Sequence, residues 1–574
     1  MGRGWAGWLM LLAVLLAACT GSEPGTAESP TATRAPSPDA TATATATDTA
    51  TTAAPTGEET PSPTQTAAGG GTLVVAISSD PGGLNPAITT SGGTHTASEL
   101  LYNGLVDLGP DLEPIPELAE SWDVEEEGAL YRFHLRDDVT WHDGEPFTSA
   151  DVKYSFEEVL LQLHSRTQAS MGPSLESIET PDEQTVEFRF SQPYAPLLQQ
   201  LNVTEAPIIP RHIYEGTDPL ENPANNEPVG TGPFRFVSYT PDAEIVLERN
   251  PDYFEEGLPH LDEVIMRVIP DEGSQVLAFE AGEVGWLWGV PGPDQERLAA
   301  DPTVEFLQTP VNPGGANCIM TVSFNLERPI MADLRVRQAI AHALNRDQFL
   351  ERVLFGQGQV AAAPISSGIP WAHAEGLDMP ANDPAEAERL LDEAGWQREG
   401  DGTRTAAGVE GVDDGTPLAF TFVHFPTFSA YGELLRAQLR EVGMDVTLVP
   451  LEPPVFAEQV FTARDFDTNI ISYCNATDPE IGVRRMYHSS NIGEVPFSNA
   501  AAYRNDEVDR LFDEAQRTID LEQRGALYRQ IQEIAVAELP YFWIVETVGT
   551  RAYRSSCSDF QPSGHFAKTA SCEQ

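Results

Sequence analysis

Histidine, acidic and cysteine side chains are the groups in this chain whose types could do chemistry, and their spacing decides what chemistry is open to them. His134 and His142, the second followed by Asp143, invite a metal site, but their spacing matches no ligand template, so no metal is expected on them. Gly230-Thr231-Gly232-Pro233 looks like a phosphate loop. It lacks the Lys-Ser/Thr of a P-loop and the strand-to-helix context of a dinucleotide fingerprint, so it is expected to be a tight turn before a strand over residues 234–239. With 88 Asp and Glu, pairs of carboxylates arise by chance, and no Gly-x-Ser-x-Gly, His-Glu-x-x-His or nucleophilic Cys accompanies them. No catalytic residue, metal or cofactor is therefore expected. A hydrolase, the remote alternative, would need a nucleophile and a base within hydrogen-bond reach.

The first of the five cysteines sets the compartment. Arg3 is followed by an apolar run over residues 5–16, too short to span a membrane well but suited to a secretory signal, and then by Leu16-Ala17-Ala18-Cys19. That tetrapeptide resembles the bacterial lipobox, which implies cleavage after residue 18 and a lipid anchor on Cys19; two or three acyl chains hold stably where one does not. Cys318, Cys474, Cys557 and Cys572 remain, an even number in an oxidising compartment. Cys557 and Cys572 lie close together in the tail and read as one pair, which leaves Cys318 with Cys474; the other two connectivities stay open.

The elements that must position these groups are legible in outline. Residues 20–71 contain no Val, Ile, Leu, Phe, Tyr or Trp, so they cannot bury enough apolar surface to offset ordering and are expected to form a disordered Thr/Ala/Pro-rich stalk. Strands are expected over residues 72–77, 130–135, 186–190, 418–423 and 444–449, from short apolar or alternating runs bounded by turn signals. Asp333 is expected to cap a helix with Val336, Ile340, Ala343 and Leu344 along one face. Asp383-Pro384-Ala385-Glu386 offers an N-cap, a first-turn proline and a capping-box acid, with Gly395 ending the helix. One further helical stretch is expected from Asp506 to about Ala537.

Composition removes whole classes of function. The 574 residues carry 33 Lys and Arg against 88 acids, a formal charge of −55. That balance leaves no cationic surplus to displace counterions from nucleic acid or to bind anionic lipid. It fits a salty habitat or a preference for cationic solutes. The length calls for more than one core.

Longer motifs then make the chain specific. Leu118-Ala119-Glu120-Ser121-Trp122, Tyr131-Arg132-Phe133-His134-Leu135-Arg136 and Trp141-His142-Asp143-Gly144-Glu145-Pro146-Phe147-Thr148-Ser149-Ala150-Asp151-Val152 form one run. Pro228-Val229-Gly230-Thr231-Gly232-Pro233-Phe234, Arg249-Asn250-Pro251-Asp252-Tyr253-Phe254, Phe324-Asn325-Leu326 and Asp333-Leu334-Arg335-Val336-Arg337-Gln338-Ala339-Ile340 follow in order. The whole resembles the family 5 extracellular solute-binding proteins, the peptide- and nickel-type receptors of ABC importers. Asn345-Arg346 and Asn382-Asp383-Pro384 stand where that family usually has Asp-Arg and Tyr-Asp-Pro.

The resemblance implies an α/β, two-lobed periplasmic-binding-protein-like fold of type II with a hinge between lobes. Lobe I would take residues 72–110, 228–316 and 548–574, with 111–227 as an additional subdomain, and lobe II residues 317–547. It implies a lipid-anchored receptor on the outer face of the cell membrane, a monomer that captures peptides or similar solutes by hinge closure and hands them to permease subunits. A metal chelate, nickel complex or sugar is the alternative ligand. In peptide-binding relatives an aspartate just before an Asp/Glu-Pro pair receives the ligand's α-ammonium; here that position is Asn475, ahead of Asp478-Pro479. An amide cannot neutralise a buried ammonium, so either Asp478 takes the role or the ligand lacks a free peptide N-terminus. Tyr473, Arg484, Arg485 and Trp371 are the further ligand-binding candidates, the arginines for a ligand carboxylate.

Overall fold

The computed structural model describes residues 70–109, 112–308, 317–400, 402–493, 497–561 and 564–573. The signal segment, Cys19 and nearly all of the stalk lie outside the described residues. Among the described residues no helix is long and apolar enough to cross a membrane.

Two large mixed sheets organise the described chain. The first strand, Thr72–Ile77, fills the middle of a seven-stranded sheet, where it pairs in parallel with Glu263–Val268 and with Trp286–Leu287. Antiparallel neighbours complete it, Phe234–Thr240 and Glu244–Arg249 on one side and Val304–Gln308 with Thr550–Arg554 on the other. A six-stranded sheet has Cys318–Phe324 near its centre, flanked by Thr468–Cys474 and Tyr541–Glu546. Its Ala419–His424 and Asp445–Pro450 strands are parallel and joined by the helix Ser429–Glu441, the crossover that parallel pairing requires. A separate four-stranded antiparallel sheet, Ala119–Glu125, Leu130–Leu135, Thr185–Phe190 and Leu175–Asp182, packs Phe133, Phe156 and Phe188 edge to face beneath it. The chain leaves the seven-stranded sheet after Gln308, enters the six-stranded sheet at Cys318, and returns between Glu546 and Thr550.

Local chemistry explains most element boundaries. Asp333 caps Leu334–Ala343 by accepting the Arg335 N–H, with Val336, Ala339, Ile340 and Ala343 buried on its inner face. Asp383 accepts from the Ala385 and Glu386 N–H groups at the start of Pro384–Glu393. Glu386 turns outward to Arg389 rather than back to the N-cap, so the expected capping box is not made. The stretch expected as one helix from Asp506 is two, Asp506–Arg517 and Leu521–Glu538. Asp520 breaks it by capping a new helix start at the Gln523 N–H.

The Gly-Thr-Gly-Pro motif is a packing device. A Cβ on Gly230 would stand 1.8 Å from the Leu101 carbonyl oxygen, and one on Gly232 2.5 Å from that of Leu100, so the turn admits no side chain at either position. His142 clamps the same turn: its Nδ1 accepts the Gly230 N–H at 3.1 Å and its Nε2 donates to the Gly232 oxygen at 3.0 Å. His134 pairs with Asp123 on a surface strand. The structure joins Cys318 to Cys474, which face each other at one end of their strand pair, and Cys557 to Cys572.

Candidate functional site

An open cavity of about 710 Å³ lies between the bodies built on the two large sheets. One wall comes from Ser78 and Ser79 at the end of the first strand, from the helix Gly92–Ser98, and from Trp288. The opposite wall comes from Val353 to Phe355 and Gln357, and the returning segment contributes Gly549 and Thr550. The bodies also touch directly. Gln357 Nε2 donates to the Val290 oxygen at 2.7 Å, and Phe355 packs so tightly on Gly292 that a Cβ there would meet it at 2.3 Å. Elsewhere the Ala195 N–H donates to the Gln516 oxygen at 2.8 Å, and Thr477 Oγ1 reaches the Gln199 oxygen at 3.4 Å.

A group of buried charges adjoins this junction. Glu99 lies one turn beyond Thr96 of the cavity wall and accepts from Thr204 Oγ1 at 2.7 Å. Burial pushes its carboxyl up to about 7, against the pull of Arg166 and Arg551 and with the repulsion of Glu205. Arg166 pairs with Glu205 at 2.9 Å, and His95 stands 3.9 Å from Glu99. Burial holds His95 down near 4, helped by Arg166, and pushes His164 beside it well below its ordinary value. The Arg551 guanidinium lies 5.3 Å over the Trp288 ring, whose Nε1 is buried without a partner among the described residues.

These groups oppose one another in pH. Glu99 is raised from about 4.5 to about 7, so its contribution to stability is complete below the unfolded value and lost as pH rises through 7. His142 is lowered by burial to about 4, so its contribution is present above about 6.5 and lost as pH falls toward 4. Glu99→Gln is therefore expected to match wild type at pH 4.5 and exceed it at pH 8 by up to about 3 kcal/mol in urea unfolding. A difference that does not change with pH would contradict the raised carboxyl.

The sequence-derived candidates separate on the structure. Tyr473 is 1 % exposed, stacked edge-on against Tyr541, with its hydroxyl pushed up to about 12 by burial; it is a core residue. Asp478 is 0 % exposed, and both of its oxygens receive Arg524, at 2.5 and 2.8 Å, while Oδ1 also takes the Glu480 N–H. Despite burial, that carboxylate holds the Arg524 guanidinium above its ordinary value. Asp478 is thus held within the fold by Arg524 and the Glu480 N–H. Trp371 lies over the same arginine at 5.3 Å and against Tyr528, so it seals the ion pair.

Arg484 is spent on Asp513 at 2.6 Å and Glu480 at 3.3 Å. Arg485 is different. It donates to the carbonyls of Gly482 and Cys474, and burial holds its guanidinium below its ordinary value, with Tyr473, Arg166 and Glu205 among the groups acting on it. Asn475 is buried, its Oδ1 receiving the Ser366 N–H at 2.7 Å. Gly482 packs on its backbone, where a Cβ would come within 2.2 Å. The same Ser366 turn donates to Glu546 Oε2 through Ser366 Oγ, Ser367 N and Ser367 Oγ, and Glu546 Oε1 is buried with no partner among the described residues. Glu99, Trp288, Arg551 and Glu546 were not singled out by sequence reading. Each is a lone residue in an unremarkable context, brought to the junction by chain crossings far apart in sequence.

The model of the middle region of the bacterial extracellular solute-binding proteins, family 5, matches residues 113–494. The chain belongs to this family. The oligopeptide-binding protein AppA of Bacillus subtilis is 28% identical over 487 residues, covering 83% of this chain and 86% of its own. Heme-binding protein A of Haemophilus influenzae is 27% identical over 502 residues, covering 83% and 87%. The solved structure of NikA from Brucella suis in complex with Fe(III)-EDTA superposes with a TM-score of 0.76 at 26% identity, over 87% of this chain and 99% of that one. The fold is thus that of the two-lobed periplasmic binding proteins of the peptide and nickel cluster, and the protein is a non-enzymatic, extracytoplasmic solute-binding component of transport.

Proposed function

We propose that this solute-binding protein is the receptor of an ABC importer, tethered to the outer face of the membrane through a lipidated Cys19 and the Thr/Ala/Pro-rich segment that follows it, and acting as a monomer on its permease subunits. The observation that carries the reading is the cavity walled by both bodies, because a solute held there touches both and stabilises the closed arrangement by its differential affinity. Turning a mostly open protein into a mostly closed one takes about 5.5 kcal/mol of such preference. The two crossings of the chain, after Gln308 and after Glu546, are the hinge in this reading, with residues 317–547 as the second lobe and 111–227 as the subdomain that enlarges the first.

The ligand in this proposal lacks a free peptide N-terminus at the Asn475 position. Asn475 is neutral and Asp478 is locked to Arg524, so a buried ammonium there would go unneutralised. An amine-blocked peptide or a compact non-peptide solute meets that condition, and a volume of about 710 Å³ lies within the ordinary range for small-molecule sites. Native mass spectrometry of protein purified from its own producer tests this directly. The expected occupant is an amine-blocked or non-peptide solute; an ordinary free-amine peptide would overturn the ligand assignment and leave the receptor role intact.

A further inference from the structure

We propose that Asp107, Glu117 and His565 form a binding site for one divalent cation of the Zn²⁺ type, which pins the C-terminal loop to the first lobe. One ligand atom from each residue lies within 4.8 Å of the others. Asp107 belongs to the short strand Val106–Leu108, Glu117 follows its partner strand Pro114–Pro116, and His565 lies in the loop closed by the Cys557–Cys572 disulfide. The site lies apart from the inter-lobe cavity and does not depend on the receptor's ligand.

The decisive observation is a mismatch of polar atoms. His565 Nε2 donates to the Tyr102 carbonyl at 2.8 Å, which leaves a lone pair on Nδ1. That Nδ1 is fully buried, has no hydrogen-bond partner among the described residues, and faces Glu117 Oε1 at 3.2 Å. Two acceptors therefore point at each other in a site where the imidazole is 0 % and the carboxylate 1 % exposed. An O–H donor would come to about 2.7 Å. Two ligand atoms on a tetrahedral Zn²⁺, each about 2.0–2.1 Å from the metal, stand about 3.3 Å apart.

The surroundings are those of ligands held in place by a further layer of hydrogen bonds. Glu117 is fixed by Asn103 Nδ2 at 2.6 Å and the Gly104 N–H at 2.9 Å, and Asn103 is itself held by Thr231 of the glycine turn at 2.9 Å. A carbonyl behind the far nitrogen of a ligating histidine is the usual device for fixing its tautomer and orientation. Two carboxyl groups thus stand beside the imidazole, while Lys568, the neighbouring cation, is paired with Glu255 at 2.8 Å. The imidazole nitrogen selects a metal of the Zn²⁺ class over Ca²⁺ or Mg²⁺, with water completing the coordination.

The test uses the full chain, stripped with a chelator and titrated with ZnCl2 in excess MgCl2, so that loose binding to the acidic surface is suppressed. Uptake of one Zn²⁺ per chain with a raised melting temperature is expected, and Asp107→Asn, at a partly exposed position, is expected to keep the fold and weaken uptake at least about tenfold. His565→Gln should behave alike. A wild-type chain that takes up no Zn²⁺ in Mg²⁺, or that takes it up no more tightly than Asp107→Asn, overturns the assignment.

Discussion

Asp478→Ala is expected to destabilise the folded protein by about 3–5 kcal/mol, because it strands the Arg524 guanidinium, 2 % exposed, without its carboxylate. Urea unfolding followed by circular dichroism measures the loss directly. A double replacement, Asp478→Leu with Arg524→Met, removes both charges and is expected to recover most of it, since a buried pair can be exchanged for apolar groups at little net cost. The contrast separates two roles for a residue that the sequence places beside the expected ammonium anchor. If Asp478→Ala unfolds like wild type but loses its solute, the carboxylate is a ligand contact and the structural reading fails. Asn475→Ala, which leaves the buried Ser366 N–H without its acceptor, is expected to cost about 1–3 kcal/mol in the same measurement.

Removing the Cys318–Cys474 disulfide by the double Ala replacement is expected to cost about 5 kcal/mol at the upper end, since it closes a chain separation of 156 residues and unfolded-chain entropy grows with loop length. The Cys557–Cys572 bridge spans only 15 residues and is expected to contribute about 3 kcal/mol. Denaturant midpoints with and without reductant give both values. The larger bridge has a second consequence. Cys474 immediately precedes Asn475, and its carbonyl accepts from Arg485, so its release loosens the residues that bound the junction. Reduction should therefore weaken solute binding before it unfolds the protein. If affinity is unchanged at denaturant concentrations where the reduced chain is still folded, the disulfide does not position the site.

What the sequence by itself determined is what local rules write. The expected first strand is found as Thr72–Ile77 and the expected strand over residues 130–135 as Leu130–Leu135, because short apolar or alternating runs between turn residues leave one solution. Asp333 and Asp383 cap their helices as expected, because an N-cap is a contact between residues two or three apart. The long motifs carried the family for a similar reason: Gly230, Gly232 and His142 meet steric and hydrogen-bond demands that admit few substitutes. Where the local signal was incomplete the reading failed, as at Asp520, whose capping geometry splits one expected helix into two.

Only the tertiary structure decided which charged side chains are available. In sequence Asn475, Asp478, Arg484 and Arg485 are equal neighbours. In the fold, Arg524 comes from 46 positions away to occupy Asp478, Asp513 takes Arg484, and Arg485 donates to the carbonyls of Gly482 and Cys474. The group of Asp107, Glu117 and His565 was equally illegible, since the third residue comes from the far end of the chain to lie beside the first two. The physical reason is common to both cases. A carboxylate or an imidazole acts through the partners within a few ångströms and the water it has lost, and long-range chain crossings set both.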